Sequence, residues 1–291
     1  MTVIQSLRAG DVDDVAHHIE RLQRDPEQFT GDLPIDAAAI AEALPALPGG
    51  VACIVVAVSD GRPVGLLGAD HATDPPRVWW QGPFVWGGEG WRAVADRLYT
   101  SARRRLPPQV TQEEFAPDEC NARVQGFARA HGFHAEAASA VLVLGERLPD
   151  PGDDAVVPIT AEDHPELARL HDLLFPEAGG AGDAPVEVDD PDRVALGIRR
   201  AGGLVGYVIA RCLLDGSGSI EFVGVRPDLR GRGHGRALVL AGVHWLQRRQ
   251  CAPVHLTIRE DLRAGRALYA AVGFVEERLV RPWRKGFTLD P

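Results

Sequence analysis

Arg226, Arg230, Arg232 and Arg236 stand among Gly231, Gly233 and Gly235 in the run FVGVRPDLRGRGHGRALVL, residues 222–240. Closely set glycines let a chain turn sharply and gather its N–H groups around one point, and interleaved arginines add fixed positive charge. Such a loop suits a polyanion, most simply a phosphate. An apolar β-like run precedes it and apolar residues at helical spacing follow, so the loop reads as a strand-to-helix turn at the positive end of a helix dipole.

Two phosphate-binding devices do not fit. A P-loop needs a lysine and a Ser or Thr, and neither stands in this loop, which disfavours ATP or GTP hydrolysis. A dinucleotide fingerprint needs a third glycine where Arg236 stands, which disfavours NAD. What remains is Arg-x-x-Gly-x-Gly, here Arg230, Gly233 and Gly235, opening a helix directly from a strand.

The chain that must position this loop has 291 residues, which predicts two domains of ordinary size. Its 45% hydrophobic and 25% charged residues are globular in balance. The first residues lack a basic leader and an apolar signal core, and no apolar run is long enough to span a bilayer, so a cytoplasmic location away from membranes is expected. Cys53, Cys120, Cys212 and Cys251 show no metal-ligand spacing; they read as small buried residues, with no metal and no disulfide framework. The net charge of −10 argues against nucleic acid as a partner. From Arg193 onward, however, 17 bases face 8 acids, so the basic loop serves something local.

The Pro-rich and acidic stretch GERLPDPGDDAVVPIT, residues 145–160, reads as a linker between a domain of residues 1–147 and one of residues 148–291. GFARAHGF, residues 126–133, echoes ALYAAVGF, residues 267–274, about one domain length apart, which suggests duplication. In each half a helix-like segment is followed by strands, one Gly-rich turn into a helix, a further strand, a helix and a last strand. The predicted class is α+β (α/β mixed), with a twisted mixed sheet flanked by helices used twice.

Residues 155–291 resemble the GNAT superfamily of acetyl-CoA-dependent N-acyltransferases, through VGVRPDLRGRGHGRAL followed at the family's separation by ALYAAVGF. The resemblance implies that the loop Arg230, Gly231, Arg232, Gly233, His234, Gly235 and Arg236 cradles the CoA pyrophosphate. It implies that Val223, Gly224 and Val225 lie along the pantetheine arm where the strand splays, with Gly224 easing that distortion. Tyr269 stands at the family's acid position, where it would protonate the departing CoA thiolate. Glu221, four residues before Val225 and on the same face if the strand alternates, is the candidate base; His255 or a water chain are the alternatives, because Thr257 occupies the position where some relatives carry a glutamate. Leu262 stands where many relatives have an asparagine that contacts CoA, and Arg263 and Arg266 either reach the phosphates or form a solvated helix face.

The first half reads as a degenerate copy that does not bind CoA. Ala128 replaces the tyrosine, and FVWGGEGWRAV keeps Gly88 and Gly90 but places Glu89 among the would-be phosphate ligands. It retains Asn121. Trp79, Trp80, Trp86 and Trp91 read as core packing, with an aromatic cleft wall as the alternative. The expected function is acetyl transfer from acetyl-CoA to a primary amine of a small molecule, without a metal. A cationic acceptor would be steered by Glu177, Asp183, Glu187, Asp189 and Asp190, unless these form a solvated acidic loop. A non-catalytic CoA-binding regulatory module and acetylation of a protein amine are the alternatives.

Overall fold

A computed structural model describes residues 2–149, 155–176, 190–201 and 203–286; Glu177, Asp183, Glu187 and Asp189 lie outside the described residues. In chain order the first half forms β1 (Val3–Ser6), α1 (Val12–Gln23), α2 (Ala37–Ala46), β2 (Val55–Ser59), β3 (Arg62–Thr73), β4 (Pro76–Val85) and α3 (Trp91–Arg103). It continues with β5 (Gln112–Phe115), α4 (Ala122–Ala130), β6 (His134–Ala135) and β7 (Ser139–Leu144). The second half forms β8 (Val156–Pro158), α5 (His164–Leu174), β9 (Arg193–Arg200), β10 (Gly203–Cys212), β11 (Gly218–Val225), α6 (His234–Arg248), β12 (Val254–Arg259), α7 (Arg263–Val272), β13 (Val275–Val280) and β14 (Trp283–Lys285).

Two seven-stranded mixed sheets result, in the orders β1-β2-β3-β4-β5-β14-β6 and β13-β7-β12-β11-β10-β9-β8. The contacts divide the chain into one unit of Met1–Ser139 with Arg278–Pro291, and a second of Ala140–Glu277. The predicted linker lies inside the second unit's span, because β7 precedes the linker in sequence yet stands between β13 and β12 in the second sheet. Conversely β14, from the far end of the chain, fills the place between β5 and β6 in the first sheet, with Trp283 opposite both Phe115 and Ala135.

Helical periodicity does the local work. In α1, Val12, Val15, Ala16 and Ile19 make one buried stripe against the first sheet, and Asp36 caps α2 by accepting from the N–H groups of Ala38 and Ala39. The opposite face of that sheet packs on α3 and α4. There Glu113, almost wholly buried, accepts from the Tyr99 hydroxyl at 2.6 Å and the Trp80 indole at 3.2 Å, and pairs with Arg103 at 2.9 Å. In the second unit Leu238, Val239, Val243 and Leu246 of α6 cover one sheet face, while Leu167 and Leu170 of α5 cover the other with Tyr207 and Ile209.

Only Cys251 of the four cysteines is buried; Cys53 and Cys212 are half-buried and Cys120 is exposed, which corrects the reading of all four as interior residues. Among the described residues no helix is long and apolar enough to cross a membrane, and no group of three or more His, Cys, Asp or Glu could hold a metal ion.

The strand placement yields a test. A fragment of residues 148–291 lacks β7 and carries β14 without its neighbours β5 and β6. It is expected to show no cooperative thermal transition by circular dichroism, whereas the intact chain melts cooperatively. A fragment that melts as sharply as the whole protein would contradict the assignment of β7 to the second sheet.

Candidate active site

The second sheet opens where its two central parallel strands part company. β11 pairs with β12 over Gly218–Val254, Ser219–His255 and Ile220–Leu256 only, while on its other side it stays bonded to β10 as far as Val225–Gly206. Arg226 donates its N–H to Val205 O on β10. By the alternation of antiparallel pairing, Gly224 also faces β10, and the backbone groups of Val223 and Val225 face the gap. A cleft of about 970 Å³ occupies this gap, and its wall includes Glu221, Val223, Gly224, Val225 and Tyr269.

At one end of the cleft the chain leaves β11, makes a short 3-10 turn and enters α6 through the glycine loop. Gly231 and Gly233 adopt φ of 74° and 83°, left-handed values that favour glycine, and a Cβ at either would meet no atom within 4 Å. The first N–H groups of α6 have no earlier helical carbonyl to accept from them, and His234, Gly235 and Arg236, which carry them, line the cleft end. Arg230, Gly231, Gly233, His234, Gly235 and Arg236 all line the cleft; Arg232 does not, and its exposed side chain extends elsewhere. Arg230 Nε donates to Val225 O at 3.1 Å, which ties the loop to the strand end. The turn therefore fits a pyrophosphate by shape, by free donors and by charge.

The strand holds a device that alternation could not reveal. Ile209 faces Phe222 and Ala210 faces Ile220, so Glu221 is an extra residue without a partner on β10, a β-bulge. Ile220 packs against Gly242 of α6, whereas Phe222 lies against His171 and Phe175 of the α5 side, with ring centroids at 4.8 and 5.3 Å. The expected shared face of Glu221 and Val225 is thereby corrected: the bulge reverses the alternation between them. No local sequence feature announces the extra residue.

Glu221 is also held more firmly than its sequence context suggested. Arg193 places Nε and Nη2 each 2.8 Å from Oε2, and Arg211 Nε lies 3.1 Å from Oε1. A carboxylate has about four acceptor sites. Arg193 Nε makes the hydrogen bond to Oε2, while Arg211 faces Oε1 as an ion pair outside hydrogen-bond alignment, so Oε1 keeps acceptor capacity. Arg193 and Arg211 face one another across β9 and β10, 28 and 10 residues from Glu221 in sequence, so only the sheet register brings the three together.

Tyr269 lies on α7, which approaches β12 because Gly265 leaves room for Ile258; a Cβ there would come 2.5 Å from Ile258 Cδ1. Its ring meets Phe274 edge-on at 5.9 Å, and burial pushes its hydroxyl up to about 12, so the phenol keeps its proton at neutral pH. Of the other candidates, Thr257, Leu262 and Arg263 line the cleft, as does Arg259, which pairs with Asp261 at 2.8 Å. His255 instead pairs with Ser219 at the closed end, outside the lining, and Arg266 is engaged by Glu276 at 2.6 Å.

A second buried pair escaped the sequence reading. His171 Nδ1 and the Tyr207 hydroxyl are 2.6 Å apart, and both side chains are almost fully enclosed. Burial pushes the Tyr207 hydroxyl upward, so the phenol stays protonated within the pair. The pair lies behind Gly224, where a Cβ would come 2.5 Å from Leu174 Cδ1, and so fixes how closely α5 approaches β11.

The first unit's turn is built differently. Five residues separate β4 from α3, against eight between β11 and α6, and no 3-10 turn intervenes. Glu89 does not point among the amides: it accepts from Thr2 N–H at 2.9 Å and faces Arg97 at 3.6 Å. Asn121 caps α4 through Val124 N–H at 3.1 Å and donates to Phe29 O at 3.1 Å, a structural use for a residue whose family counterpart contacts CoA. Trp80 is core, whereas Trp86, stacked on His18 at 4.7 Å, and Trp91, edge-on to Phe127, also line a cavity of about 550 Å³ with Gly88 and Gly90, so the cleft-wall alternative applies to those two.

Comparison with known proteins agrees with this geometry. Residues 164–274 match the model of the Acetyltransferase (GNAT) family. Curated relatives include the mycothiol acetyltransferase of Saccharopolyspora erythraea, 30% identical over 40% of this chain and 41% of that protein. The mycothiol acetyltransferase of Clavibacter michiganensis is 29% identical over 77% of each. The chain spans about two fifths of the length of the first curated relatives it matches. Among solved structures, a GCN5-related N-acetyltransferase from Sphaerobacter thermophilus has a TM-score of 0.76 at 18% identity, covering 98% of this chain and 95% of that one. A tandem GNAT protein from the clavulanic acid biosynthesis pathway has a TM-score of 0.66, also at 18% identity, over the full length of both chains. The cleft, the glycine loop and the family match fall in the same unit: residues 164–274 match the GNAT family, and the chain has the fold of tandem, two-domain GNAT proteins.

Proposed function

We propose that the protein is an acetyl-CoA-dependent N-acetyltransferase whose second unit passes the acetyl group directly to a primary amine of a small molecule. One observation carries this reading: the parting of β11 from β12 opens a single cleft that holds a phosphate-type loop at one end, a free strand edge along it and Tyr269 in its wall. Acetyl-CoA, as substrate, supplies an activated acyl thioester. Gly231 to Arg236 would bind its pyrophosphate, and the outward backbone groups of Val223 and Val225 would align its arm and offer an N–H to the thioester carbonyl.

Glu221, kept in place by Arg193 and Arg211, would take the proton of the acceptor ammonium through Oε1, directly or through water. Tyr269, protonated at neutral pH, would donate to the departing thiolate. The names of the curated relatives make an amine of the mycothiol type the first acceptor to try. The first unit would not bind CoA, since its shorter turn offers fewer amides and carries no arginine. A CoA-binding module without turnover is the second reading, and the double arginine pairing of Glu221 is what favours it; formation of an acetylated amine eliminates it.

The assay is thiol release from acetyl-CoA with a panel of small amines, alongside calorimetric titration of acetyl-CoA into the intact chain. Tyr269→Phe is expected to lower turnover about 10²-fold while leaving acetyl-CoA affinity unchanged. An unaltered rate removes Tyr269 from the acid role. Arg230→Glu combined with Gly233→Asp should weaken acetyl-CoA binding about tenfold or more, and equal affinity would sink the loop assignment. Arg193→Gln should reduce turnover about tenfold at unchanged acetyl-CoA affinity, because the released carboxylate is no longer aimed. Restoration by Arg193→Lys would be partial, since a lysine cannot present two donors to one oxygen.

A further inference from the structure

Cys212 and Cys251 are 39 residues apart in sequence, yet their sulfurs lie 2.6 Å from one another. Cys212 ends β10, and Cys251 sits in the connection from α6 to β12. Both backbones are anchored. Cys212 N–H donates to Asp192 O at 2.7 Å, Cys251 N–H to Leu246 O at 3.1 Å, and the following Ala252 N–H to Gly216 O at 3.0 Å. Cys251 is buried and Cys212 half-buried, and neither lines the cleft. Nothing in the acyl-transfer chemistry uses them.

We propose that Cys212 and Cys251 form a redox modification site that reacts with low-molecular-weight disulfides. The thiolate of one cysteine attacks the reagent disulfide, forming a mixed disulfide and releasing one thiol. The second cysteine then loses its proton and attacks the protein sulfur of that mixed disulfide, forming the Cys212–Cys251 bond and releasing the second thiol. Two electrons pass from the cysteine pair to the reagent, and two protons go to the released thiols.

Proximity makes the second step intramolecular and fast, since the sulfurs need only a small side-chain rotation to reach the bonding separation of about 2.05 Å. The first step is slow, because burial and the neighbouring Cys251 push the Cys212 thiol up to about 12. The site therefore responds to sustained oxidation and ignores brief exposure. The closed bond would fasten the end of β10 to the start of β12, on the paired side of the point where β11 and β12 part.

The intact protein, with Cys53→Ser and Cys120→Ser to suppress exchange with other thiols, is incubated natively with cystamine, alkylated with N-ethylmaleimide and analysed by peptide mass spectrometry. The expected product is a cross-link between the Cys212 and Cys251 peptides, reversed by dithiothreitol. A rise of about 5 °C in the melting midpoint accompanies it, because a long loop is closed in the unfolded chain. Cys251→Ser and, independently, Cys212→Ser should abolish both the cross-link and the shift. Recovery of both cysteines only as maleimide adducts or as separate cystamine adducts overturns the proposal, as does a midpoint shift that survives in either serine variant.

Discussion

The second unit depends on a failure of two parallel strands to remain paired. After three residue pairs β11 keeps its bonds to β10 and abandons β12, and every element of the candidate site is placed relative to that parting. Backbone groups left without a partner in a protein interior cost free energy, so a gap of this kind persists only if something polar, water or ligand, can satisfy them. The surrounding packing holds the gap open from both sides. Gly224 admits Leu174, Phe175 and Tyr207 on one face, and Gly242 and Gly206 let α6 approach closely on the other. Bulkier residues at these places would push the helices outward and let the strands drift from their present positions.

Charge is arranged with the same economy. Arg230, Arg232 and Arg236 are exposed, Arg230 being tethered to Val225 O, whereas Arg226 pairs with Asp228 and the arginines at the opposite end of the cleft are bound to an acid. Exposed cations near the glycine loop suit an anionic tail. Paired cations beside Glu221 hold its carboxylate in one orientation. The buried Tyr207–His171 hydrogen bond behind the strand engages the Tyr207 hydroxyl and His171 Nδ1, which could not otherwise be enclosed cheaply.

Much of this was legible in the residues. The alternation of helix-like and strand-like segments, the duplication and the glycine loop are local signals, and local signals survive in one dimension. Pairings across the sheet do not. The bulge at Glu221, its arginines from β9 and β10, and the meeting of Cys212 with Cys251 depend on register, and no spacing along the chain encodes register. Parity counting failed at Glu221 for that reason: one inserted residue reverses every face assignment beyond it. Asn121 and Glu89 show the complementary limit, since residues aligned with ligand contacts have been drawn into a helix cap and an ion pair.

The exchange of β7 and β14 bears on how the chain comes into being. During synthesis, residues emerge in order, and a domain normally folds once its own segment has left the ribosome. Here β5 and β6 wait for a strand made after the entire second sheet has been translated, while β7 is exposed long before β12 and β13 exist to receive it. Nascent chains would therefore carry two unsatisfied strand edges for most of elongation, each a template for pairing with another polypeptide. Yield in the cell should thus be governed by translation rate and by chaperones that shield edges, more than by the equilibrium stability of either sheet.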